Sequence, residues 1–496
     1  MSLLRYPEYK ASGAEWLGDV PEHWGIAPFY SVATEREESN VGMQEDNLLS
    51  LSYDRIVQKD ISSNDGLLPE SFETYQIVKP GDIVFRLTDL QNDKRSLRTA
   101  IVEQTGIITS AYVAAKPTKI ESRYLCHLLR AYDVTKVFYS MGGGLRQSMK
   151  FSDLKRLPTL LPPPDEQQTI AAFLDRETGK IDALIAEQRQ LVELLAEKRQ
   201  AVISHAVTKG LGTRHSRAGG NPAKQTSPRS GQSDCPAMQE SSNHLDSRLR
   251  GNDEVVMKDS GTCLPQSALP DWQAGDRQDG RQVEWLGEVP KHWDVKRLKF
   301  VATVQTGIAK GKDNAGKSTI SVPYLRVANV QDGYLDLEDV ATIDIAPASL
   351  DRYRLQSGDV LMNEGGDFDK LGRGHVWHCE VDPCIHQNHV FAVRPHSISS
   401  EWLNLVTGTN YAQFYFMTRS KQSTNLASIS STNVMELPVV CPPLEEQQAI
   451  IAFLDSETAK FDTLTLEANR AIALLQERRS ALISAAVTGK IDVREQ

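Results

Sequence analysis

The chain is poor in cysteine, with six in 496 residues and none in a CxxC pair, which excludes a disulfide framework and a paired-cysteine redox or zinc site. It has no run approaching the roughly 18 apolar residues that span a bilayer, and its opening MSLLRYPEYK lacks an apolar core of signal-peptide length. The expected location is therefore the cytoplasm. Positive charge is in deficit, 55 Lys and Arg against 65 Asp and Glu. Taken as a total this argues against a nucleic-acid partner. The acidic residues crowd into two helical segments, however, and leave other short stretches locally basic. Catalytic signatures are missing too. No Asn/Asp-Pro-Pro-aromatic tetrad or glycine-rich cofactor loop is present to flip and methylate a base, since Asn221-Pro222 leads into Ala-Lys. Nor do carboxylates and lysines assemble into a nuclease metal site. The chain reads as a non-enzyme.

What is present is a duplication. AEWLGDVPEHW, Ala14 to Trp24, returns as VEWLGEVPKHW, Val283 to Trp293. The stretch from Pro163, with DEQQ, AAFLD and ISHAVTKG, returns from Pro442 with EEQQ, IAFLD and ISAAVTGK. Offsets of about 270 and 280 residues are too long for a solenoid repeat and mark a duplicated domain pair. Dissimilar blocks, about 25 to 157 and 294 to 437, lie between the echoes. Each holds strand-like runs (82–86, 358–362) and helical signals (121–137, 401–417), and so reads as α+β.

The second echo predicts a long helix in each copy. Pro-Pro and acidic residues (Asp165, Glu166; Glu445, Glu446) open it, and Gly210 or Gly489 closes it. Leu174, Ile181, Gln188, Leu195 and Val202 recur every seven residues, matched by Leu454, Phe461, Ala468, Leu475 and Leu482. Leu184, Leu191, Leu464 and Ala471 fill out the stripe. A helix of about 44 residues is roughly 66 Å long and cannot bury such a stripe alone. The matching helix is the economical partner, in an antiparallel coiled-coil pair related by a pseudo-two-fold duplication. Packing of each helix on its own domain is the alternative. Residues 211–282, rich in Gly, Ser, Pro, Asn and Arg, read as a low-complexity linker, and RHSRAGGNP to LDSRLRGND resembles a translated dispersed genomic repeat. Such an insertion is tolerable if its ends stay close, because loop closure costs rise only logarithmically with length. The divisions expected are 1–160, 161–210, 211–282, 283–440 and 441–496.

The EWLG-x-VP-x-HW opening, the LPPP-DEQQ and CPPL-EEQQ helix entries followed by FLD, and the ISHAVTKG and ISAAVTGK endings, in doubled order, resemble type I restriction–modification specificity subunits. The resemblance covers nearly the whole chain apart from the linker. It implies two target-recognition domains, each reading half of an interrupted double-stranded DNA site, with the paired helices as spacer. It also implies two methyltransferase subunits as partners, with motor-nuclease subunits in the full complex. No cofactor is expected on this chain, S-adenosylmethionine, ATP and Mg belonging to those partners. The linker departs from the pattern and puts domain spacing in question. A coiled-coil scaffold or adaptor without DNA specificity is the competing class.

Base readout needs donors and acceptors flanked by phosphate contacts. The first block offers Arg86, then Asn92, Lys94, Arg95 and Arg98, and the glycine-led loop bearing Arg146, Gln147 and Lys150. The second offers Asn363, Gly365, Gly366, Asp367, Lys370 and Arg373, then Gln387 and Asn388 in HQNH, and Arg419 with Lys421. Each cluster taken alone also suits a solvated surface loop. Gly311 to Ser318 satisfies GxxxxGKS, yet Thr319-Ile320-Ser321-Val322-Pro323 is unsuited to the helix a phosphate loop opens. Lys312 and Lys317 are therefore read as a basic, DNA-facing loop. His375, His378, Cys379, Cys384, His386 and His389 lack paired ligand spacing, so no metal is expected there.

Overall fold

The computed structural model describes residues 4–52, 55–60, 69, 71–88, 98–141, 148–211, 286–309, 318–366, 368, 371–422 and 427–494. The linker expected at 211–282 lies outside them, apart from Leu211. The chain forms two compact units, one of residues 1–197 with 460–496, the other of residues 198–459.

The first unit is built on a four-stranded antiparallel sheet in the spatial order Ala33–Glu35, Val113–Pro117, Ile83–Phe85, Thr99–Ile101. The Ile83 strand is apolar on both faces and wholly buried, as a central strand covered on two sides must be. A turn sets its start. Asp82 accepts the Lys79 N–H at 2.8 Å, and the Arg36 guanidinium clamps the same carboxylate at 2.9 and 3.0 Å. Helix Ser122–Val134, capped by Glu121 accepting from Tyr124 N at 2.6 Å, contributes Tyr124, Leu125 and Leu128 to the core. Strands Gly25–Pro28 and Pro158–Leu161 pair just before the first long helix begins at Pro164.

The second unit repeats this plan in unrelated sequence. Its sheet order is Ala302–Thr306, Val390–Pro395, Val360–Asn363, Gly374–Val376. Asp359 accepts from Gln356 N at 2.8 Å and is clamped by Arg394 at 2.7 and 2.8 Å. Strands Asp294–Arg297 and Pro438–Cys441 pair before the second long helix, Leu444–Val487. The single helix expected over 401–417 is two, Ser400–Thr407 and Asn410–Arg419. Gly408 ends the first, and Thr409 starts the second by accepting from Ala412 N at 3.3 Å.

Each unit is completed by the closing turns of the long helix that the sequence assigns to the other repeat. In the first unit Ile483, Ala486 and Val487 share the core of Trp24, Tyr124 and Leu174. In the second, Ile203, Ala206 and Val207 share the core of Trp293, Trp402 and Leu454. There Gln200 Nε2 donates to Gly408 O at 2.5 Å, and Ser204 Oγ accepts from Asn410 N at 3.0 Å. The closing glycines explain the motif tryptophans. Gly489 and Gly210 both take left-handed conformations (φ 72° and 74°), and a Cβ would collide with Pro21 and press on Trp24 at the first, and press on Trp293 at the second. Leu211 and Leu286, which flank the linker, both belong to the second unit's core, and Lys209 Nζ donates to Glu288 O. The two ends of the insertion thus meet, as cheap loop closure requires.

Along the helices of the first unit, antiparallel pairing is shown by Leu174 beside Ile483 in one core and by Asp182 bound to Arg479 at 2.9 Å. The buried seam corrects one expectation. Leu184, Leu191 and Leu464 are exposed, by 46%, 40% and 46%. Ile185 is buried and Val192 half-buried in their stead. Rows at 184/191 and at 185/192 flank the 181/188/195 row on opposite sides, and both are apolar; the helix turns the second of them inward. Of the remaining seam positions, Leu174, Ile181, Leu195, Leu454 and Phe461 are buried, and Val202, Leu475 and Leu482 half-buried.

Candidate nucleic-acid interface

Two kinds of polar site occur in both units, and they differ in purpose. The first lies at the entry of each long helix. Glu166, almost wholly buried, accepts from Tyr6 Oη (2.5 Å), Trp24 Nε1 (3.0 Å) and His23 Nε2 (2.8 Å). Burial and this carboxylate push the Tyr6 hydroxyl far above its ordinary pKa. Glu446 accepts from Trp293 Nε1 and His292 Nε2, each at 2.7 Å, in a more open setting. The next residue staples helix to domain. Gln167 donates to Pro162 O and accepts from Glu121 N, while Gln447 donates to Pro442 O and accepts from Ser399 N. The HW and EQQ motifs are therefore two halves of one joint. The sequence reading missed this by assigning Glu166 and Glu446 only to the helix dipole.

The second kind gathers the loops beyond each sheet. In the first unit Arg86, Leu87 and Thr88 lie where Met149 N donates to Leu87 O (2.9 Å), so the described flanks of 89–97 and 142–147 meet at one edge. Arg98 corrects an expectation. It is 1% exposed, its Nη1 donates to Arg86 O (3.2 Å) and Thr88 O (2.9 Å), and its Nε donates to Tyr139 Oη (3.2 Å). A guanidinium spent on two backbone carbonyls and a tyrosine hydroxyl holds the edge together and is not available to DNA. Arg86 is half-buried and Lys150 exposed beside this edge. Asn92, Lys94, Arg95, Arg146 and Gln147 lie outside the described residues.

In the second unit three short strands, Gly365–Gly366, Ala427–Ser428 and Lys421–Gln422, form a small sheet that brings the glycine loop against the Arg419–Lys421 segment. The HQNH turn packs beside it: Glu364 N donates to His389 O (2.9 Å), and Ile429 N donates to Glu364 O (2.8 Å). Asn388 N donates to Ile308 O (3.1 Å), which sets the described flank of the basic loop at the same place. Gln387 and Asn388 are half-buried; Lys421 is exposed, and so is Arg419, which lies over the Tyr415 ring. Arg373 is paired with Asp332 at 2.7 Å, and the Asn363 amide nitrogen is committed to Val330 O at 2.8 Å. Lys312, Lys317, Asp367 and Lys370 lie outside the described residues. Among the described residues no group of His, Cys, Asp and Glu could hold a metal ion. Burial raises the Cys384 thiol to about 12, and His386 is buried with Nδ1 on Val390 O. Glu364 and His389 were absent from the sequence-based candidates. Their place beside the candidates Asn363 and Gly365 and within HQNH was the available signal.

Comparison with known proteins accords with this architecture. The profile of the type I restriction modification DNA specificity domain matches residues 290–474. The EcoKI specificity subunit of Escherichia coli K12 is 20% identical, the alignment covering 96% of this chain and 90% of that one. The StySPI specificity subunit of Salmonella potsdam is 21% identical over the same shares. A chain from a solved type I restriction–modification complex aligns over 94% of this chain and 98% of its own, at 17% identity and a TM-score of 0.54, and so shares the fold. The fold and its paired loop edges define a protein of the DNA-specificity class. The chain is similar, over nearly its whole length, to the specificity subunits of type I restriction–modification systems.

Proposed function

We propose that this chain binds an interrupted double-stranded DNA site, one half in each unit, and directs N6-adenine methylation and restriction carried out by partner subunits. The observation that carries the reading is the repeated joint and sheet beneath two unlike loop edges: a common frame with separate recognition surfaces. In this proposal S-adenosylmethionine, ATP and Mg belong to the partners, and the complex works in the cytoplasm; among the described residues no helix is long and apolar enough to cross a membrane. Two methyltransferase subunits dock on the long helices. The exposed Leu184 and Leu194 of one helix and Leu464 and Leu474 of the other support this, since they fall at matching positions of the duplication. Motor-nuclease subunits join to restrict. The helices act as a ruler for the unread gap. Inserting four residues in a spacer helix adds roughly 6 Å, nearly two base-pair steps. Methylome sequencing of cells carrying that change is expected to show the same two half-sites with a longer gap, and an unchanged gap would reject the ruler.

A further inference from the structure

Among the described residues of this edge, Glu364 is an acidic residue beside the glycines Gly365 and Gly366, the amides of Gln387 and Asn388 and the basic Arg419 and Lys421. Its backbone is pinned on both sides, N–H to His389 O and carbonyl to Ile429 N. Its carboxylate Oε2 lies 2.7 Å from His389 Nδ1. His389 Nε2 in turn lies 3.3 Å from Asn388 Nδ2. The chain of contacts fixes the ring: Nδ1–H donates to the carboxylate, and Nε2 accepts from the amide. Neither partner is hidden, the His389 side chain being 55% and the Glu364 side chain 27% exposed. Next in sequence, Gly365 and Gly366 carry no side chains, and a Cβ at Gly366 would meet only open space. At these two positions no side chain of their own stands between the backbone and a duplex.

A carboxylate placed on such a surface weakens phosphate attraction, so its presence calls for a compensating role. We infer that Glu364, aligned by His389 and Asn388, is a specificity-determining residue that accepts a hydrogen bond from the N4 amino group of a cytosine in the half-site read by the second unit. In the major groove cytosine presents that donor alone, whereas adenine and guanine add N7 and thymine and guanine present carbonyl oxygens, all of which repel a carboxylate. His389 and Asn388 are positioning residues in this account. The inference rests on the proposed DNA-recognition function.

The test is selection from a randomised duplex library with the full-length chain and two variants, Glu364→Gln and His389→Gln. The wild type is expected to recover a two-part site with cytosine at one invariant position. Glu364→Gln should lose roughly ten- to a hundredfold of the preference for cytosine there and shift toward adenine, whose N6 and N7 suit an amide, with the other half-site unchanged. His389→Gln should blur the same position to a lesser degree. Unaltered selection by Glu364→Gln, or uniform weakening across that half-site, overturns the inference by making the residue neutral or merely structural. Recovery of no two-part site by the wild type would instead overturn the DNA-recognition reading itself.

Discussion

The two units share a four-stranded sheet order, a clamped aspartate turn before the central strand and a Trp–Glu joint at the helix entry, yet they differ in everything hung on that frame. The first carries two small two-stranded sheets, Leu49–Ser52 with Arg55–Gln58 and Gln76–Val78 with Gly106–Ile108. The second carries a three-stranded sheet of Ile320–Leu325, Ala341–Ile345 and Ile385–His386, and another built on Gly365–Gly366. What must fit the long helices has stayed alike, and what faces away from the joint has diverged. That division separates assembly from recognition within one chain.

Within the frame the helix seam offers the strongest contrast. Ile185→Ala should cost about 3 kcal/mol, whereas Leu184→Ala, one residue away but exposed, should stay within about 0.5 kcal/mol. Chemical denaturation of the two variants checks this, and equal losses would return the seam to the 184/191 row. The helix joints come next. Glu166→Ala strands three donors, two of them deeply buried, and should cost about 3 kcal/mol, while the more open Glu446→Ala should cost about 1 kcal/mol. Hydrogen exchange read separately on the two units distinguishes them, with the larger loss confined to the first.

The smallest contrast concerns pH. His127 and His386 are both held below the ordinary histidine pKa by burial, opposed by the Asp175 carboxylate 2.8 Å from His127 Nε2 in the first unit and by the Val390 carbonyl and Asp359 in the second. An unfolded histidine takes its proton near pH 6.5, and these folded ones do so only lower. The stability they confer is therefore complete above about pH 6.5 and lost as pH falls from there through the folded values. Hydrogen exchange at pH 7.5 and 5.5 should show both units loosening at the lower pH, around His127 in the first and His386 in the second.

Much of the frame could be read from the chain because it is written twice. EWLG-x-VP-x-HW and EQQ mark its joint, and seven-residue recurrence marks the rods. The partnership between those motifs was not legible, since Trp24 and Glu166 are far apart in sequence and each repeat borrows its closing helix turns from the other. Nor could periodicity choose between Leu184 and Ile185, because both are apolar neighbours of one row. The loop edges were legible only as composition. A basic cluster does not distinguish an exposed Lys150 from an Arg98 turned inward to hold two carbonyls. That similarity of the two sheets lay beneath blocks with no shared sequence follows from packing, which asks only for apolar residues at alternating positions.

The central claim, one frame bearing two independent recognition surfaces, is tested most directly by exchanging residues 25–157 for the corresponding block of another specificity subunit and sequencing the methylome of cells that carry the hybrid with its methyltransferase. The account predicts a new sequence in one half of the methylated motif, with the other half unchanged. Alteration of both halves together would contradict it.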